Sequence, residues 1–381
     1  MKILIIQQKM IGDVLLSTML CEQIKKNIPT ANIHYLINLN TEAVVTNNPY
    51  IDSIIFFTED LRNSKWLFYR FLEGITQEKY DVVIDAYGKL ESILVSLFSM
   101  SNIKISMDKW YSRTLYTKTF KYRKSEDCNL GLAVENRLKL LKPLIGDIKE
   151  IANPPKIYLT NNEILNARSF LEKNNINFSN PIIMINILGS TTAKTYPLTY
   201  MAEIIEHITS QGEFTLLFNY MPSQLKQAEE LYNICSSASK SKIKFNVYVT
   251  QLRNFLGILY HCNALLGNEG GAINMAKGLN VPTFSIFSPW VEKETWETFK
   301  YIKYHEAVHL KDYQPLLITG KSTKKLRNDA LYLYSKFKPS LFKEKINYFL
   351  DKNISIRKPN SIINLSKLPQ TAPYAKVANQ Y

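Results

Sequence analysis

Short apolar segments recur along this chain at intervals that leave room for one helix between them. That rhythm constrains the fold more than any other feature. Residues 2–7 form a first apolar run. Gly12 and Asp13 follow, and then Val14, Leu15, Met19, Leu20 and Ile24 mark one face of a helix. Residues 33–37 and 53–57 read as the next strands, 61–75 as a helix, 80–85 as a strand and 90–100 as a helix. Strands separated by helices cannot pair as hairpins; they imply a parallel sheet with helices on both faces. Pro154 and Pro155 interrupt the rhythm. A helical spacing over 161–173 restarts it, with strands expected at 181–187, 213–218, 243–249, 264–266 and 283–287. The expected fold is α/β, with two doubly wound, Rossmann-like units over residues 1–160 and 161–320. Helices are expected within 321–350 (at 324–334 and 341–350). Residues 351–381, with Pro359, Pro369 and Pro373, read as a basic, extended or disordered tail.

Charge bears on the partner rather than on the fold. Lys and Arg number 47 against 33 Asp and Glu, for a net charge of +14. A chain so basic attracts nucleic acid, an anionic membrane or phosphorylated substrates. The distribution narrows the choice. Residues 1–160 carry 21 basic and 17 acidic side chains, 161–320 carry 13 of each, and 321–381 carry 13 and 3. A basic end on a nearly neutral body does not suit a nucleic-acid binder, and no nucleic-acid module accompanies it. The basic end also holds Tyr332, Tyr334, Phe337, Phe342, Tyr348 and Phe349. One reading sets it against an anionic membrane surface; the other makes it a solvated tail plus a packed helix.

The 13 glycines are few, so their places matter. Gly12, Gly189, Gly267, Gly270 and Gly271 all follow expected strands. In doubly wound folds ligands bind at the carboxyl ends of strands, where helix N-termini favour anions. A ligand cleft between two domains is therefore expected. In the first such segment, Lys9-Met10-Ile11-Gly12-Asp13, the carboxylate either caps the helix or accepts a proton from an acceptor hydroxyl. In the second, Gly189, Ser190, Thr191 and Lys194 precede Tyr196-Pro197. Hydroxyls, backbone N–H groups and one ammonium suit a pyrophosphate, though a polar surface loop would look the same, and the Walker spacing is absent. In the third, Asn268, Glu269, Gly270, Gly271 and Asn274 again lead from strand to helix. A phosphate or ribose contact is expected there, with Glu269 accepting from hydroxyls.

Residues 104–124 hold Lys104, Lys109, Arg113, Lys118, Lys121, Arg123 and Lys124, opposed only by Asp108 and interleaved with Trp110, Tyr111, Tyr116, Phe120 and Tyr122. They read as a solvated loop with anchoring aromatics, or as a loop gripping anionic sugars and phosphates through Arg113, Lys118 and Lys121. His305-Glu306-Ala307-Val308-His309 matches the zinc pattern HExxH, which works only on a helix. The surrounding β-formers predict a strand, in which the two histidines stand about 13 Å apart at about 3.3 Å per residue, too far for one metal. No apolar run approaches the roughly 18 residues of a membrane span. Cys21, Cys128, Cys235 and Cys262 form no CxxC pair and read as reduced thiols of a cytoplasmic protein.

The three glycine segments, in this order and spacing, resemble the heptosyltransferase family of lipopolysaccharide core assembly (glycosyltransferase family 9, GT-B fold). The resemblance spans roughly residues 1–310. It is strongest from Asn268 to Pro289, and the stretch from Asn129 to Arg137 resembles the helix that closes the family's first domain. It implies an inverting transfer from ADP-heptose to a lipid-linked acceptor, with no cofactor and no metal; an Asp-x-Asp motif is absent. It implies Asp13 as the base and Lys194 on the donor phosphates. Gly189, Ser190, Thr191, Asn268, Glu269, Gly270, Gly271 and Asn274 would hold the rest of the donor, and Lys9, Gly12, Arg113, Lys118 and Lys121 the acceptor. Family members often read Asp-(Thr/Ser)-Gly-x-x-His at the third segment, where this chain has Glu269, Gly270, Gly271 and Asn274. It also carries Tyr196 where tryptophan is common. Another sugar nucleotide, or non-catalytic binding of sugar nucleotide or glycan, remains open. The expected partners are a nucleotide sugar, a lipid-linked glycan and an anionic membrane surface, with the protein in the cytoplasm and peripheral at the inner membrane.

Overall fold

The computed structural model describes residues 1–126, 129–148 and 154–354. It divides into two compact units, one formed by Met1–Tyr158 and the other beginning at Leu159. The first holds six strands: β1 (Lys2–Ile6), β2 (Asn32–Asn38), β3 (Ser53–Phe57), β4 (Val82–Asp85), β5 (Ile103–Met107) and β6 (Lys118–Phe120). Their order is β3-β2-β1-β4-β5-β6, and every pairing is parallel. The chain leaves β1 to one side and later returns to its other side at β4, so the topological switch lies between these two strands. Loops diverge there and open a crevice at the carboxyl edge.

The second unit repeats the plan with β7 (Ile182–Asn186), β8 (Thr215–Asn219), β9 (Ala264–Asn268), β10 (Thr283–Ile286) and β11 (His305–Val308). The order is β11-β10-β9-β7-β8, all parallel, with the switch between β7 and β9. Both faces of each sheet are covered, which is why the strands read as continuous apolar runs: Ile3, Leu4, Ile5 and Ile6 are all completely buried.

Three local expectations need correction. Residues 243–249 do not form a strand; a single bridge joins Ile243 to Leu216. The helix Ser237–Lys242 runs directly into this segment, and Phe245 and Tyr248 stack on Tyr220 at 6.0 and 4.5 Å instead of extending a ladder. The expected helix over 61–75 is two helices, Glu59–Asn63 and Lys65–Gln77. Ser64 between them is extended, and its hydroxyl accepts from the Leu67 N–H. Residues 104–124 are not a loop throughout, since β5 and β6 occupy both ends. Lys104 and the shortness of β6, a three-residue edge strand, hid them from a pattern reading.

The C-terminal helices Thr323–Asn328, Ala330–Lys336 and Lys343–Ile354 belong to the second unit's core. Leu326, Leu333, Ile346 and Leu350 pack in one cluster with Ile183 and Ile185 of β7 and Phe284 and Ile286 of β10. Tyr334, Phe337, Phe342 and Phe349 are also buried there, so four of the six aromatics assigned to a membrane contact are unavailable for it. Tyr332 and Tyr348 remain exposed, and residues 355–381 of the basic end lie outside the described residues. Tyr196 is the centre of this packing. Its ring meets Tyr334 at 5.8 Å, Phe337 at 5.9 Å and Phe342 at 6.2 Å, and its hydroxyl donates to the Phe337 carbonyl at 2.5 Å. Among the described residues no helix is long and apolar enough to cross a membrane. Cys21, Cys235 and Cys262 are buried free thiols; Cys128 lies outside the described residues.

Tyr196→Phe removes only the hydroxyl and leaves a buried carbonyl unpaired, which should cost about 1–3 kcal/mol. Tyr196→Ala also opens a cavity and should cost about 3–5 kcal/mol. Chemical denaturation of the second unit's transition measures both; equal losses would show that the ring carries nothing.

Candidate functional site

In the first unit, the helix Ile11–Asn27 starts almost directly after β1. Met10 turns the chain with φ 64°, a left-handed conformation that a non-glycine residue adopts only at some cost. Met10 is also the residue that precedes the helix, and no side chain caps it. The cap alternative for Asp13 therefore fails: the residue stands inside the first turn. Its Oδ1 pairs with the Arg137 guanidinium from the helix Leu132–Lys139. Arg137 is itself fixed. Its Nε donates to Ser17 Oγ at 3.0 Å and another nitrogen to the Ala133 carbonyl at 2.7 Å. Asp13 and Ser17 are four residues apart, so they share one helix face, and Arg137 reads both. Sequence inspection placed Arg137 in a family-like helix without giving it a role; the i, i+4 pair opposite was the available signal.

Of the other residues expected here, Gly12 is buried within the first turn, and Lys9 is half-buried with its carbonyl accepting from Gln7 at 3.1 Å. Arg113 is engaged with Asp108 at 2.6 Å. Lys118 stands on β6 and Lys121 just beyond it, both exposed. Nearby, buried Asp85 at the end of β4 accepts from the N–H groups of Tyr87 and Gly88 at 2.9 and 2.7 Å and from the Tyr116 hydroxyl. Burial raises its carboxyl pKa. Lys109 donates to the Tyr87 and Gly88 carbonyls at 3.2 and 2.6 Å, which ties the segment after β5 to the turn after β4.

In the second unit, the turn after β7 closes on itself. A Cβ on Gly189 would lie 2.4 Å from the Lys194 carbonyl oxygen. The glycine is needed for that contact. Ser190 and Thr191 are exposed at the tip. Lys194 donates to Glu269 Oε1 at 3.1 Å, which joins the second and third sequence segments. Its ammonium also lies 5.3 Å from the centre of the Trp290 ring, and the Arg327 guanidinium lies 5.4 Å from the same ring. The Trp290 indole N–H and the Ser288 hydroxyl both donate to the Ala193 carbonyl at 2.8 Å. The loop after β10 thus holds the lysine turn in place. Neither Trp290 nor Arg327 emerged from the sequence as a site residue; nothing in the spacing links position 327 to 194.

Asn268 requires correction. It is completely buried, accepts from the Tyr196 N–H at 2.7 Å and donates to the Asn186 carbonyl at 3.0 Å. With its amide committed and no surface, it braces the turn and does not meet a ligand. Gly270 has φ 146° and opens the helix Gly271–Gly278, with nothing within 4 Å of the position a Cβ would take. Glu269, Gly270 and Asn274 line a groove together with Lys277, Thr298 and His305. Lys277 donates to the Thr298 carbonyl at 2.7 Å, and burial brings its ammonium down to about 8. His305 and His309 lie on and just after β11, so the HExxH segment is a strand as expected. Among the described residues no group of three or more His, Cys, Asp and Glu could hold a metal.

Each unit therefore presents one ionised group at a carboxyl edge, already paired: Asp13 with Arg137, and Lys194 with Glu269. Both members of the first pair are mostly buried, so removing one leaves a poorly solvated charge. Arg137→Met should cost about 3 kcal/mol, and combining it with Asp13→Asn should recover at least about 1 kcal/mol in a double-mutant cycle on the unfolding free energy. Strict additivity would mean that the pair does not couple.

A family model described as glycosyltransferase family 9 (heptosyltransferase) matches residues 68–317. Lipopolysaccharide heptosyltransferase 1 of Campylobacter coli is 24% identical over 300 residues, covering 75% of this chain and 84% of that protein. The solved family 9 glycosyl transferase of Veillonella parvula matches with a TM-score of 0.71 at 18% identity, covering 88% of this chain and 97% of that one. Escherichia coli heptosyltransferase WaaC, solved with ADP, matches with a TM-score of 0.67 at 15% identity, covering 92% and 100%. At these identities the structural likeness establishes the fold, which is GT-B. The family match includes Lys194 and Glu269, whereas Asp13 and Arg327 lie outside its limits.

Proposed function

Because the chain belongs to glycosyltransferase family 9, the heptosyltransferase family, and is a glycosyltransferase, we propose that it moves a heptose from ADP-heptose onto a sugar of the lipopolysaccharide core, inverting the anomeric carbon. The observation that carries this reading is the pairing of Lys194 with Glu269 beside the opening of the helix Gly271–Gly278. An ammonium, a carboxylate and free helix N–H groups at one carboxyl edge suit a nucleoside diphosphate joined to a polyhydroxylated ring.

The reaction is a single displacement. Asp13, with Oδ1 held by Arg137, takes the acceptor hydroxyl proton on its other oxygen. The acceptor oxygen forms a bond to the anomeric carbon as the bond from that carbon to the diphosphate oxygen breaks. The electron pair leaves on the diphosphate. Lys194 and the N–H groups at Gly270 and Gly271 hold the growing charge. Protein cations and dipoles perform the neutralisation here, so we expect no resident metal. Glu269 faces the sugar or ribose hydroxyls, and Asn274 supplies an amide where family members often carry histidine. Those two departures favour testing other sugars beside heptose. Buried free thiols fit a reducing compartment, and the acceptor reading puts the enzyme on the cytoplasmic face of the inner membrane.

Incubation with a panel of sugar nucleotides and core acceptors, read by product mass, tests the reading directly; no transfer from any ADP-sugar would overturn it. Asp13→Asn should lower kcat about 100-fold or more while changing the donor KM little. Lys194→Met should raise the donor KM and lower kcat together, each about ten-fold or more. Chelation with EDTA should leave the initial rate unchanged.

A further inference from the structure

Lys194 shares the ring of Trp290 with a second cation. The Lys194 ammonium lies 5.3 Å from the ring centre and the Arg327 guanidinium 5.4 Å from it, so the two charges are separated by no more than the sum of those distances. Arg327 comes from the helix Thr323–Asn328, past the limit of the family match at residue 317. Its place is fixed by packing. Leu326, the residue before it, is buried in the second unit's core. The Ser322 hydroxyl accepts from the Lys325 N–H at 3.3 Å and starts the helix. The next helix, Ala330–Lys336, lies beside the turn Thr192–Lys194. Trp290 is held in turn by its indole N–H, which donates to the Ala193 carbonyl at 2.8 Å.

Arg327 has a place but no polar partner. It is exposed, and among the described residues it forms no ion pair and donates no hydrogen bond. The acids that follow Trp290 in the chain are engaged elsewhere: Glu292 accepts from the Thr295 hydroxyl at 3.1 Å, and Glu294 pairs with Lys311 at 2.7 Å. Residues 321–336 carry five basic side chains against one acid, Asp329, which forms no ion pair with Arg327. Two cations gathered on one ring repel each other, and Glu269 offsets only Lys194. An anion that meets both cations relieves that repulsion and takes up the unused N–H donors of the guanidinium.

We propose that Arg327 is a second donor-binding cation, which grips the diphosphate together with Lys194. This rests on the donor-phosphate role proposed for Lys194. The two side chains are suited to different parts of the ligand. The guanidinium fork donates two parallel N–H bonds to the oxygens of one phosphate, whereas the ammonium acts as a point charge. A diphosphate has charged oxygens on two phosphorus atoms, so it meets both cations at once; a neutral sugar or base offers neither cation a counter-charge. Trp290 supplies the common platform, since a ring face attracts each cation and keeps both beside the lysine turn. When the bond to the anomeric carbon breaks, the charge that grows on the diphosphate is then shared between two cations.

The test is calorimetric binding of inorganic pyrophosphate, ADP and adenosine to the full chain. Arg327→Gln should weaken pyrophosphate and ADP about ten-fold and leave adenosine unchanged. Arg327→Lys, which keeps the charge without the fork, should recover part of the loss. Lys325→Gln removes the same charge two residues away, on a different side of the helix, and should change ADP affinity less than about two-fold. Both positions are exposed, so thermal unfolding should stay unchanged and report that the variants fold. In a Lys194→Met background, Arg327→Gln should still lower ADP affinity. No further loss there would mean that Arg327 only positions the lysine through Trp290, and overturns the proposal. Unchanged ADP affinity in Arg327→Gln, or equal losses from Lys325→Gln and Arg327→Gln, overturns it too, as does a wild type that binds neither pyrophosphate nor ADP. If the wild type transfers no sugar from ADP-heptose yet Arg327→Gln still weakens pyrophosphate, the functional reading fails and the diphosphate grip stands.

Discussion

Parallel pairing in both sheets is the constraint from which the remaining features follow. A parallel strand cannot return through a tight turn, so every strand after the first in each sheet must be reached by a crossover. The crossovers bury both faces of the sheets and send every strand's exit to a single edge of its unit. The catalytic candidates and the glycine turns lie on such exits. Asp13 follows β1, Lys194 follows β7, Glu269 follows β9 and Trp290 follows β10. At the two switch points, beside β1 and β7, the exits diverge, and the segments that leave these two strands carry Asp13 and Lys194. The chemistry is placed by topology before any side chain is chosen.

That placement explains what could be read from the sequence. The strand rhythm is local and repeated, so fold class and most strands were legible, and glycines after strands pointed to the edge where ligands bind. What a glycine was for was not legible. Gly189 and Gly267 are demanded by neighbouring backbone, since a Cβ would strike the Lys194 and Asn186 carbonyl oxygens at 2.4 and 2.3 Å. Gly270 meets nothing and owes its place to φ alone. Asn268 looked like a ligand contact because it sits in the right segment, yet it is a brace. Arg137 reaches Asp13 across more than a hundred residues, and Arg327 reaches Trp290 from a separate helix; no periodicity encodes either contact. The aromatic C-terminal end shows the same limit from the other side. Tyr334, Phe337 and Phe342 alternate with lysines, and only the packing around Tyr196 reveals which face is core.

Tyr196 also connects stability with the site. Its ring anchors the C-terminal helices, and its backbone N–H donates to Asn268, whose neighbour Glu269 pairs with Lys194. Arg327, from one of those helices, lies over the ring of Trp290, which grips the lysine turn from the other strand exit. The helices beyond the family match at residue 317 therefore help to position a residue inside it. A change at Tyr196 would reach Lys194 through one hydrogen bond, the link from Asn268 to Glu269 and one ion pair, without touching a substrate.

The two ion pairs set how the proposed reaction gains its rate. Lys194 is shared between Glu269 and an indole face, so a bound diphosphate competes with a carboxylate for one ammonium. In the ground state that competition weakens the hold on the donor, because the carboxylate and the phosphates repel each other. As the bond to the anomeric carbon breaks, charge grows on the diphosphate alone, and the balance of the shared ammonium moves toward it. An interaction that strengthens between ground and transition states accelerates the chemical step, whereas one of constant strength only tightens binding. The Asp13 pair works in the opposite sense. In the proposed reaction Arg137 holds one carboxylate oxygen throughout and leaves the other for the acceptor proton, which passes to it as the acceptor oxygen bonds. Both pairs thus concentrate their effect in the step where the glycosidic bond exchanges partners.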